Sequence, residues 1–191
     1  MTASLPPILV TGRLPRLRAA LGELGAEAMV VSNLSNLRYL TGFSGSAGVL
    51  LVANGGAVNG DAVLVTDGRY RIQAAEQLEA SGVADVVALQ VGRNDVQREI
   101  MQSVLARWRP ARLALEAESI SWAGQRRWAQ LAPEVELVPS SGLVEELRQV
   151  KDDAELDHMA RALTIGSQSS SALFSSRSPC SLASPSPTVF R

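Results

Sequence analysis

Acidic side chains and the only histidine of the sequence fall together on one short segment. This segment contains Asp152, Asp153, Glu155, Asp157 and His158. Carboxylates and imidazoles are common ligands of divalent metal ions, so the chemistry to consider is metal-assisted hydrolysis. A two-metal site needs carboxylates that bridge ions about 3.5–4 Å apart, and one helix cannot surround two ions. We therefore expect no metal site here, because acids at the positive end of a helix dipole are the commoner explanation.

The single cysteine and the single histidine restrict the remaining chemistry. A lone cysteine excludes an internal disulfide and a cysteine metal cluster. A lone histidine excludes any site that needs two imidazoles from this chain. Cys180 has no neighbouring base in the sequence that would activate its thiol, so we expect no reactive role for it.

A glycine-rich stretch lies between two apolar runs, and its backbone could approach a ligand closely. It spans 36–48 and includes Gly42, Gly45 and Gly48. Glycine permits positive φ and close approach of another group. The stretch lacks both the Gly-Lys-Ser/Thr ending and the full Gly-x-Gly-x-x-Gly spacing of a phosphate-binding loop. The pattern alone therefore favours a structural turn.

Apolar periodicity places these residues on alternating strands and helices. Predicted strands cover 28–31, 49–52, 62–66, 83–91, 112–117 and 135–138, and predicted helices cover 13–24, 34–40, 69–80, 94–108 and 121–131. Asp67 is placed to cap the helix after it, and Asn94 with Gln97 resembles a capping box. The alternation predicts an α/β fold with helices on both faces of a sheet. The short joint from Leu51 to Val63 indicates a hairpin, so the sheet is predicted to be mixed.

The last part of the chain changes character twice. After a helix that starts at 141, Asp152 and Glu155 form a second predicted capping box. The helix that follows carries an apolar stripe of Leu156, Met159 and Leu163, which needs a partner surface. After Gly166 serine and proline dominate, and such a segment cannot bury enough apolar surface to fold. We therefore predict a disordered tail over 167–191.

Charge and hydropathy exclude several classes of partner. The formal net charge is -1, so no overall field would attract nucleic acid or an anionic membrane. The sequence has no apolar run of about 18 residues, which a membrane span would need. Its start lacks the basic and apolar regions of a secretion signal. We therefore predict a cytoplasmic protein without a nucleic-acid or membrane partner.

Three stretches resemble signature stretches of the Xaa-Pro aminopeptidase, prolidase and creatinase family. In chain order they are Asn36-Leu37-Arg38-Tyr39-Leu40-Thr41-Gly42-Phe43, Leu64-Val65-Thr66-Asp67-Gly68-Arg69-Tyr70 and Arg148-Gln149-Val150-Lys151-Asp152-Asp153-Ala154-Glu155. The resemblance implies an N-terminal α/β domain with a mixed sheet, followed by a catalytic "pita-bread" domain. In the family, the catalytic domain holds two divalent ions, usually manganese or cobalt, through two aspartates, one histidine and two glutamates. It cleaves the bond before proline at the N-terminus of a peptide.

This sequence departs from the family where the catalytic domain should follow. No segment after Gly166 supplies the metal ligands, and His158 matches none of their positions. We therefore expect a truncated chain that lacks a cofactor of its own and is inactive alone. Its predicted parts are an N-terminal extension at 1–12, the α/β domain at 13–140, a linker with the first pita-bread helix at 141–166, and the tail. The predicted partners are a catalytic domain or the subunits of a homo-oligomer.

The resemblance also suggests functional residues, each with a structural alternative. Candidates for a substrate rim or a subunit interface are Tyr39, Phe43, Arg69 and Tyr70. The alternative is that the aromatic rings pack in the core and that Arg69 forms a local ion pair. The stripe of Leu156, Met159 and Leu163 is the candidate interdomain docking surface. Two other functions stay open: a stand-alone binding module, and half of a peptidase completed by a separately encoded catalytic chain.

Overall fold

The computed structural model describes residues 8–55 and 61–175. Within these ranges the strands are β1 (Ala28–Val31), β2 (Gly48–Ala53), β3 (Ala62–Thr66), β4 (Val87–Val91), β5 (Arg112–Glu116) and β6 (Glu136–Ser140). The helices are α1 (Arg13–Leu24), α2 (Leu34–Thr41), α3 (Arg71–Ala80), α4 (Asn94–Trp108), α5 (Trp122–Leu131), α6 (Leu143–Gln149) and α7 (Asp153–Ser175). A 3-10 turn, Gly68–Tyr70, precedes α3.

The six strands form one mixed sheet in the order β4-β3-β2-β1-β5-β6. β2 is antiparallel to both of its neighbours, and Leu51 is in register with Val30 on β1 and Val63 on β3. The other neighbouring pairs, β1–β5, β5–β6 and β3–β4, are parallel. The predicted mixed sheet is confirmed, and so is the antiparallel pairing of the strands on either side of the predicted hairpin.

Alternate residues of each strand face two separate cores, as expected for a sheet that is covered on both sides. On one face, Met29 and Val31 lie in a core with α1, α2, α3 and α6. On the other face, Ala28 and Val30 lie in a core with α4 and α5. The first core also receives a stripe of buried leucines from α1: Leu14, Leu17 and Leu21. Each such leucine contributes about 1.5–3 kcal/mol to the burial energy, so the helical spacing in the sequence fixes this face of α1.

Two local predictions were wrong. β4 begins at Val87 and not at Val83, because residue 83 closes the preceding helix with an N–H bond to the carbonyl of Leu78 at 3.0 Å. The predicted capping box at Asn94 is absent, since Asn94 already belongs to α4. The side chain of Gln97 donates instead to the carbonyl of residue 92 at 2.9 Å.

The capping prediction for Asp67 needs a smaller correction. Its carboxylate accepts the N–H of Arg69 at 2.9 Å and so caps the 3-10 turn that precedes α3. The helix predicted from residue 69 is therefore divided into this turn and α3. Ala74 and Leu78 of α3 are both buried and lie in the first core.

The last helix is longer than the sequence predicts. α7 continues past Gly166 to Ser175, into the segment predicted to be disordered. Extending an existing helix by a residue is much easier than nucleating a new one, which explains helix in a serine-rich stretch. The predicted capping box is confirmed: the N–H of Glu155 donates to Asp152 at 2.8 Å, and the N–H of Asp152 to Glu155 at 3.1 Å. The rest of the predicted tail, with Cys180, lies outside the described residues, as do residues 1–7 of the predicted extension.

Candidate functional site

The candidate residues lie near one edge of the sheet, where parallel strands end. Val31, Thr66 and Glu116 are the last residues of β1, β3 and β5. These strands point the same way, because β2 is antiparallel to both β1 and β3 and β5 is parallel to β1. α2 follows β1 at this edge, and the 3-10 turn follows β3. The carboxyl edge of an α/β sheet is the usual position of a ligand-binding crevice.

Glu116 is the buried acid of this edge, with 4% of its surface exposed. Its Oε2 atom accepts the backbone N–H groups of Ser32 at 2.6 Å and Asn33 at 2.7 Å, and the Ser32 hydroxyl at 3.1 Å. Its Oε1 atom accepts the side-chain amide of Asn36 at 2.8 Å. A buried carboxylate requires such donors. These bonds also fix the start of α2, where the helix dipole favours a negative charge.

Asn36 extends these contacts to α6. Its amide nitrogen donates to Oε1 of Glu145 at 2.6 Å, and its Oδ1 accepts Nη1 of Arg148 at 3.0 Å. The Asn36 side chain is fully buried, whereas Glu145 and Arg148 are half-buried. We refer to Asn36, Glu116, Glu145 and Arg148 as the edge network. It joins β5, α2 and α6 through a single amide group.

Arg13 connects α1 to the start of α7. Its Nη1 donates to the carbonyl of Tyr39 at 2.8 Å, and its guanidinium lies 4.2 Å from the centre of the Tyr39 ring. Its Nη2 lies 2.6 Å from Oδ2 of Asp152 and 3.3 Å from Oε1 of Glu155. The same two acids cap α7. We call Arg13, Tyr39, Asp152 and Glu155 the hinge cluster, because they join the α/β domain to its last helix.

One cation and two acids meet in the hinge cluster, beside the phenol of Tyr39. Burial raises the pKa of the Tyr39 phenol, and the positive charge of Arg13 opposes that rise. The phenol stays protonated and donates to the carbonyl of Leu147 at 3.0 Å. Burial favours the neutral form of Asp152 and is the largest single influence on it. The hydrogen bonds from Arg13 and from the Glu155 N–H, with the charges of Arg13 and Arg16, together outweigh burial and hold the pKa of that carboxyl below its ordinary value. The Arg13–Asp152 pair is therefore ionised at neutral pH.

Phe43, Arg69 and Tyr70 form a second group at the end of β3. The rings of Phe43 and Tyr70 meet edge to face, with centroids 5.7 Å apart and planes at 83°. The guanidinium of Arg69 lies 5.4 Å from the centre of the Tyr70 ring and pairs with Asp67 at 2.7 Å. The Tyr70 hydroxyl lies 2.6 Å from the Ser46 hydroxyl. We call these five residues the rim cluster.

The rim cluster presents a cation and a phenol to solvent above a buried ring. The Arg69 side chain is 74% exposed, whereas Phe43 is buried. Hydrogen bonds from Arg69 lower the pKa of the Asp67 carboxyl. The hydrogen bond with Ser46 lowers the pKa of the Tyr70 phenol. Both exposed groups are therefore held in fixed positions by local partners, and both can contact a neighbouring molecule.

Glycines allow the loop before β2 to turn over the Phe43 ring. A Cβ atom at Gly45 would overlap that ring. Gly42 has φ +77°, a left-handed conformation that ends α2, and a Cβ there would lie 2.8 Å from the side chain of Ser81. Both glycines are needed for the fold itself, which supports the structural explanation of the glycine-rich stretch.

The apolar stripe of α7 is open to solvent. The exposed fractions of Leu156, Met159 and Leu163 are 51%, 52% and 74%. The acid pair at the start of α7 is engaged with Arg13, so the helix is attached to the α/β domain while its stripe stays uncovered. A row of exposed apolar side chains of this kind is typical of a surface that binds another protein surface.

The described residues do not fit a two-metal site. Within 8–55 and 61–175, no three His, Cys, Asp or Glu side chains are grouped so that they could hold a metal ion. Asp152 and Glu155 are paired with Arg13, and Glu116 is surrounded by N–H donors. The same ranges contain no helix with the length and apolar content of a membrane crossing.

Comparison with known families agrees with this fold. The sequence profile of the Creatinase/Prolidase N-terminal domain matches residues 13–150. The chain belongs to this family. The match ends at residue 150, just before Asp152 of the hinge cluster, and it includes the sheet, α1 to α6 and the edge network.

Solved structures share the fold. The N-terminal domain of the cytoplasmic peptidase PepQ from Mycobacterium tuberculosis H37Rv is 35% identical, with a TM-score of 0.61 over 71% of this chain and 98% of that chain. A Xaa-Pro dipeptidase from Bacillus anthracis is 26% identical, with a TM-score of 0.64 over 77% of this chain and 38% of that chain. An uncharacterized peptidase of Bacillus subtilis (strain 168), YqhT, is 29% identical over 154 residues, which are 80% of this chain and 40% of that protein. The chain thus spans about two-fifths of these two longer relatives.

The structure separates the four predicted rim or interface residues of the Creatinase/Prolidase N-terminal domain. Phe43, Arg69 and Tyr70 are brought together in the rim cluster. Tyr39 lies apart from them, in the hinge cluster. Arg69 does form the local ion pair that was the structural alternative, and the Phe43 ring is in the core.

The sequence reasoning missed three residues that connect the elements of this domain: Arg13, Asn36 and Glu116. A signal was available for Glu116, because a charged residue directly follows the apolar run 113–115 within a strand and a buried charge needs partners. Arg13 gave no such signal, since it is one of several arginines in its helix.

Proposed function

We propose that this chain is the non-catalytic N-terminal domain of a Xaa-Pro peptidase. In that protein it contacts the catalytic domain and neighbouring subunits and narrows the access of peptides to the active site. The catalytic domain would hold the two divalent ions and cleave the bond before proline. The proposal includes a cytoplasmic location, which is supported by the name of the PepQ relative.

The hinge cluster is the observation that carries this proposal. Arg13 is 6% exposed, and its ion pairs attach the first turn of α7 to the α/β domain. The helix then presents the apolar stripe with Leu163 to solvent. A helix held at one end with an uncovered apolar face is well suited to pass from one domain to the surface of the next. In the proposed protein, the catalytic domain covers the stripe.

The rim cluster has a separate role in the proposal. Arg69 and Tyr70 present a cation and a phenol, which can contact the termini or carbonyl groups of a short peptide at a neighbouring subunit. Phe43 supports the Tyr70 ring from below. Tyr39 has an interdomain role, because it contacts Arg13 and the carbonyl of Leu147 close to the hinge.

A mixing experiment tests the interdomain role. The chain is purified alone and combined with the Bacillus anthracis Xaa-Pro dipeptidase expressed without its own N-terminal part. We expect no hydrolysis of Gly-Pro or Ala-Pro peptides by the chain alone with manganese. We expect co-elution, and hydrolysis of these peptides, when the two parts are mixed. Hydrolysis by the chain alone would contradict the proposal.

A matched pair of variants locates the contact. Leu163→Asp places a charge on the stripe and is expected to weaken association at least about tenfold, because a charge buried without a partner is strongly unfavourable. Ile72→Asp is the control, since Ile72 is exposed to almost the same extent, 72% against 74%, but lies on α3. Equal effects of the two variants on association would show that the stripe is not the docking surface.

A further inference from the structure

A cleft of about 540 Å³ lies between the start of α1, α2, the end of α3 and the hinge. This volume is within the range of small-molecule sites, about 300–1,000 Å³. Three arginines line it, Arg13, Arg38 and Arg148, together with one acid, Glu155. The cleft is therefore lined by more positive than negative groups.

Glu155, the acid of the cleft, is paired with Arg13 and not with Arg38 or Arg148. Oε1 of Glu155 lies 3.3 Å from Nη2 of Arg13, and Oε2 accepts the N–H of Asp152. Arg13 is engaged as well, with Asp152 and with the Tyr39 carbonyl. The hinge cluster has one cation and two acids, and Arg38 and Arg148 add two positive charges, so these groups together carry a formal charge of +1.

Hydrogen-bond donors converge on the cleft without acceptors. Arg38 is exposed, and its side chain has no hydrogen bond or ion pair among the described residues. Arg148 uses Nη1 for Asn36, while its Nε and Nη2 have no partner in the part of the chain that the structure describes. The Ser35 hydroxyl has none in that part either. Guanidinium groups with free N–H pairs match the geometry of a carboxylate or a phosphate.

The other walls of the cleft offer apolar contact. Ile8, Val10 and Ala80 line it. The polar side chains among the remaining residues are already bonded: the Ser81 hydroxyl donates to the carbonyl of Thr41 at 2.7 Å, and the amide of Gln77 donates to Ser44 at 2.8 Å. A ligand that fits both parts has an anionic head and an apolar body.

We propose that this cleft is a binding site for a small organic anion. The anionic group is held by Arg38 and Arg148, and the apolar body lies against Ile8, Val10 and Ala80. The shared chemistry is an oxyanion, which a carboxylate or a phosphate can supply. This site is separate from the rim cluster and does not depend on the proposed peptidase function.

Three probes of equal ring size test the proposal: benzoate, phenyl phosphate and the neutral benzamide. Binding to the full chain is followed by nuclear magnetic resonance of the arginine Nε–H groups. We expect saturable binding of at least one anion with a dissociation constant of about 10 mM or lower, as for a fragment of this size. Benzamide should bind at least about tenfold more weakly. Tighter benzoate indicates a carboxylate ligand, and tighter phenyl phosphate indicates a phosphate ligand. Equal binding of benzamide and both anions, or no saturation by either anion, overturns the proposal.

Variants identify the arginines. Arg38→Gln removes a side chain without described partners, so the fold should be unaffected, and it should raise the dissociation constant of the anion about tenfold. Arg148→Gln should have a similar effect. Arg126→Gln is the matched control: Arg126 is an exposed arginine on α5, outside the cleft, and its loss changes the net charge equally. A similar effect of Arg38→Gln and Arg126→Gln would show that binding reflects overall charge alone and would overturn the proposal.

Discussion

Replacement of Glu116 by alanine tests whether the edge network holds the candidate site together. This change removes the acceptor of three N–H groups: the backbone N–H of Ser32, the backbone N–H of Asn33 and the side-chain amide of Asn36. The Ser32 hydroxyl loses its acceptor as well. The perturbation is therefore concentrated at the start of α2 and in the contact of α2 with β5.

The expected loss of stability follows from these bonds. A buried donor left without an acceptor costs about 1–3 kcal/mol. Ser32 and Asn33 are half-buried, so water can replace part of the hydrogen bonding that their N–H groups lose. Asn36 is fully buried, so its amide has no such replacement. We expect the free energy of unfolding to fall by about 3–4 kcal/mol for Glu116→Ala. Glu116→Gln should lower it less, by about 1–2 kcal/mol, because one oxygen stays as an acceptor while the new NH2 group faces a donor.

Urea unfolding followed by circular dichroism measures this difference. Glu118→Ala is the matched control, because Glu118 is an exposed glutamate two residues away. Its free energy of unfolding should change by no more than about 0.5 kcal/mol. A loss below about 1 kcal/mol for Glu116→Ala, or equal losses for the two alanine variants, would refute the importance that we assign to the network.

Three further predictions concern the hinge, the glycine turn and the two tyrosines. The pKa of Asp152 is lower in the folded state than in the unfolded state, so its contribution to the free energy of unfolding is present above the unfolded pKa and is lost as pH falls through the folded pKa. In urea titrations, wild type should therefore lose its stability advantage over Asp152→Asn between neutral pH and about pH 3. Gly45→Ala should lower the free energy of unfolding by about 1–3 kcal/mol, since the added methyl overlaps the Phe43 ring, and an unchanged urea midpoint would contradict that overlap. Ultraviolet titration should show two phenol steps, with Tyr70 ionising before Tyr39, and Tyr70→Phe should remove the earlier step and not the later one.

Local sequence patterns predicted those elements whose stability has a local cause. The leucines of α1 recur at helical spacing, and the cap of α7 needs only Asp152 and a glutamate three residues later. A local pattern also explains the wrong capping prediction at Asn94. Asn94 and Gln97 satisfy the spacing of a capping box, but the side chain of Gln97 bonds the preceding loop and leaves Asn94 inside the helix. Propagation of an existing helix carried α7 beyond the composition break.

The connections between elements could not be predicted in the same way. Arg13 and Asp152 are 139 positions apart in the sequence, and Asn36 and Glu116 are 80 apart. No local pattern in a single sequence indicates which arginine will pair with which acid across such a separation. The rim cluster was easier, because Asp67, Arg69 and Tyr70 are near neighbours along the chain. The candidate site was therefore predicted where its contacts are local and missed where the fold brings distant residues together.

The attachment of α7 at its first turn makes the helix a lever arm. Its 23 residues span about 34 Å at 1.5 Å per residue. A tilt of about 10° at the pivot beside Arg13 would displace the far tip by about 6 Å. A small shift of the Asp152 carboxylate relative to the Arg13 guanidinium thus becomes a several-fold larger displacement at the far end of α7. A mutation in the first turn of α7 can therefore displace a surface that contacts its last turn.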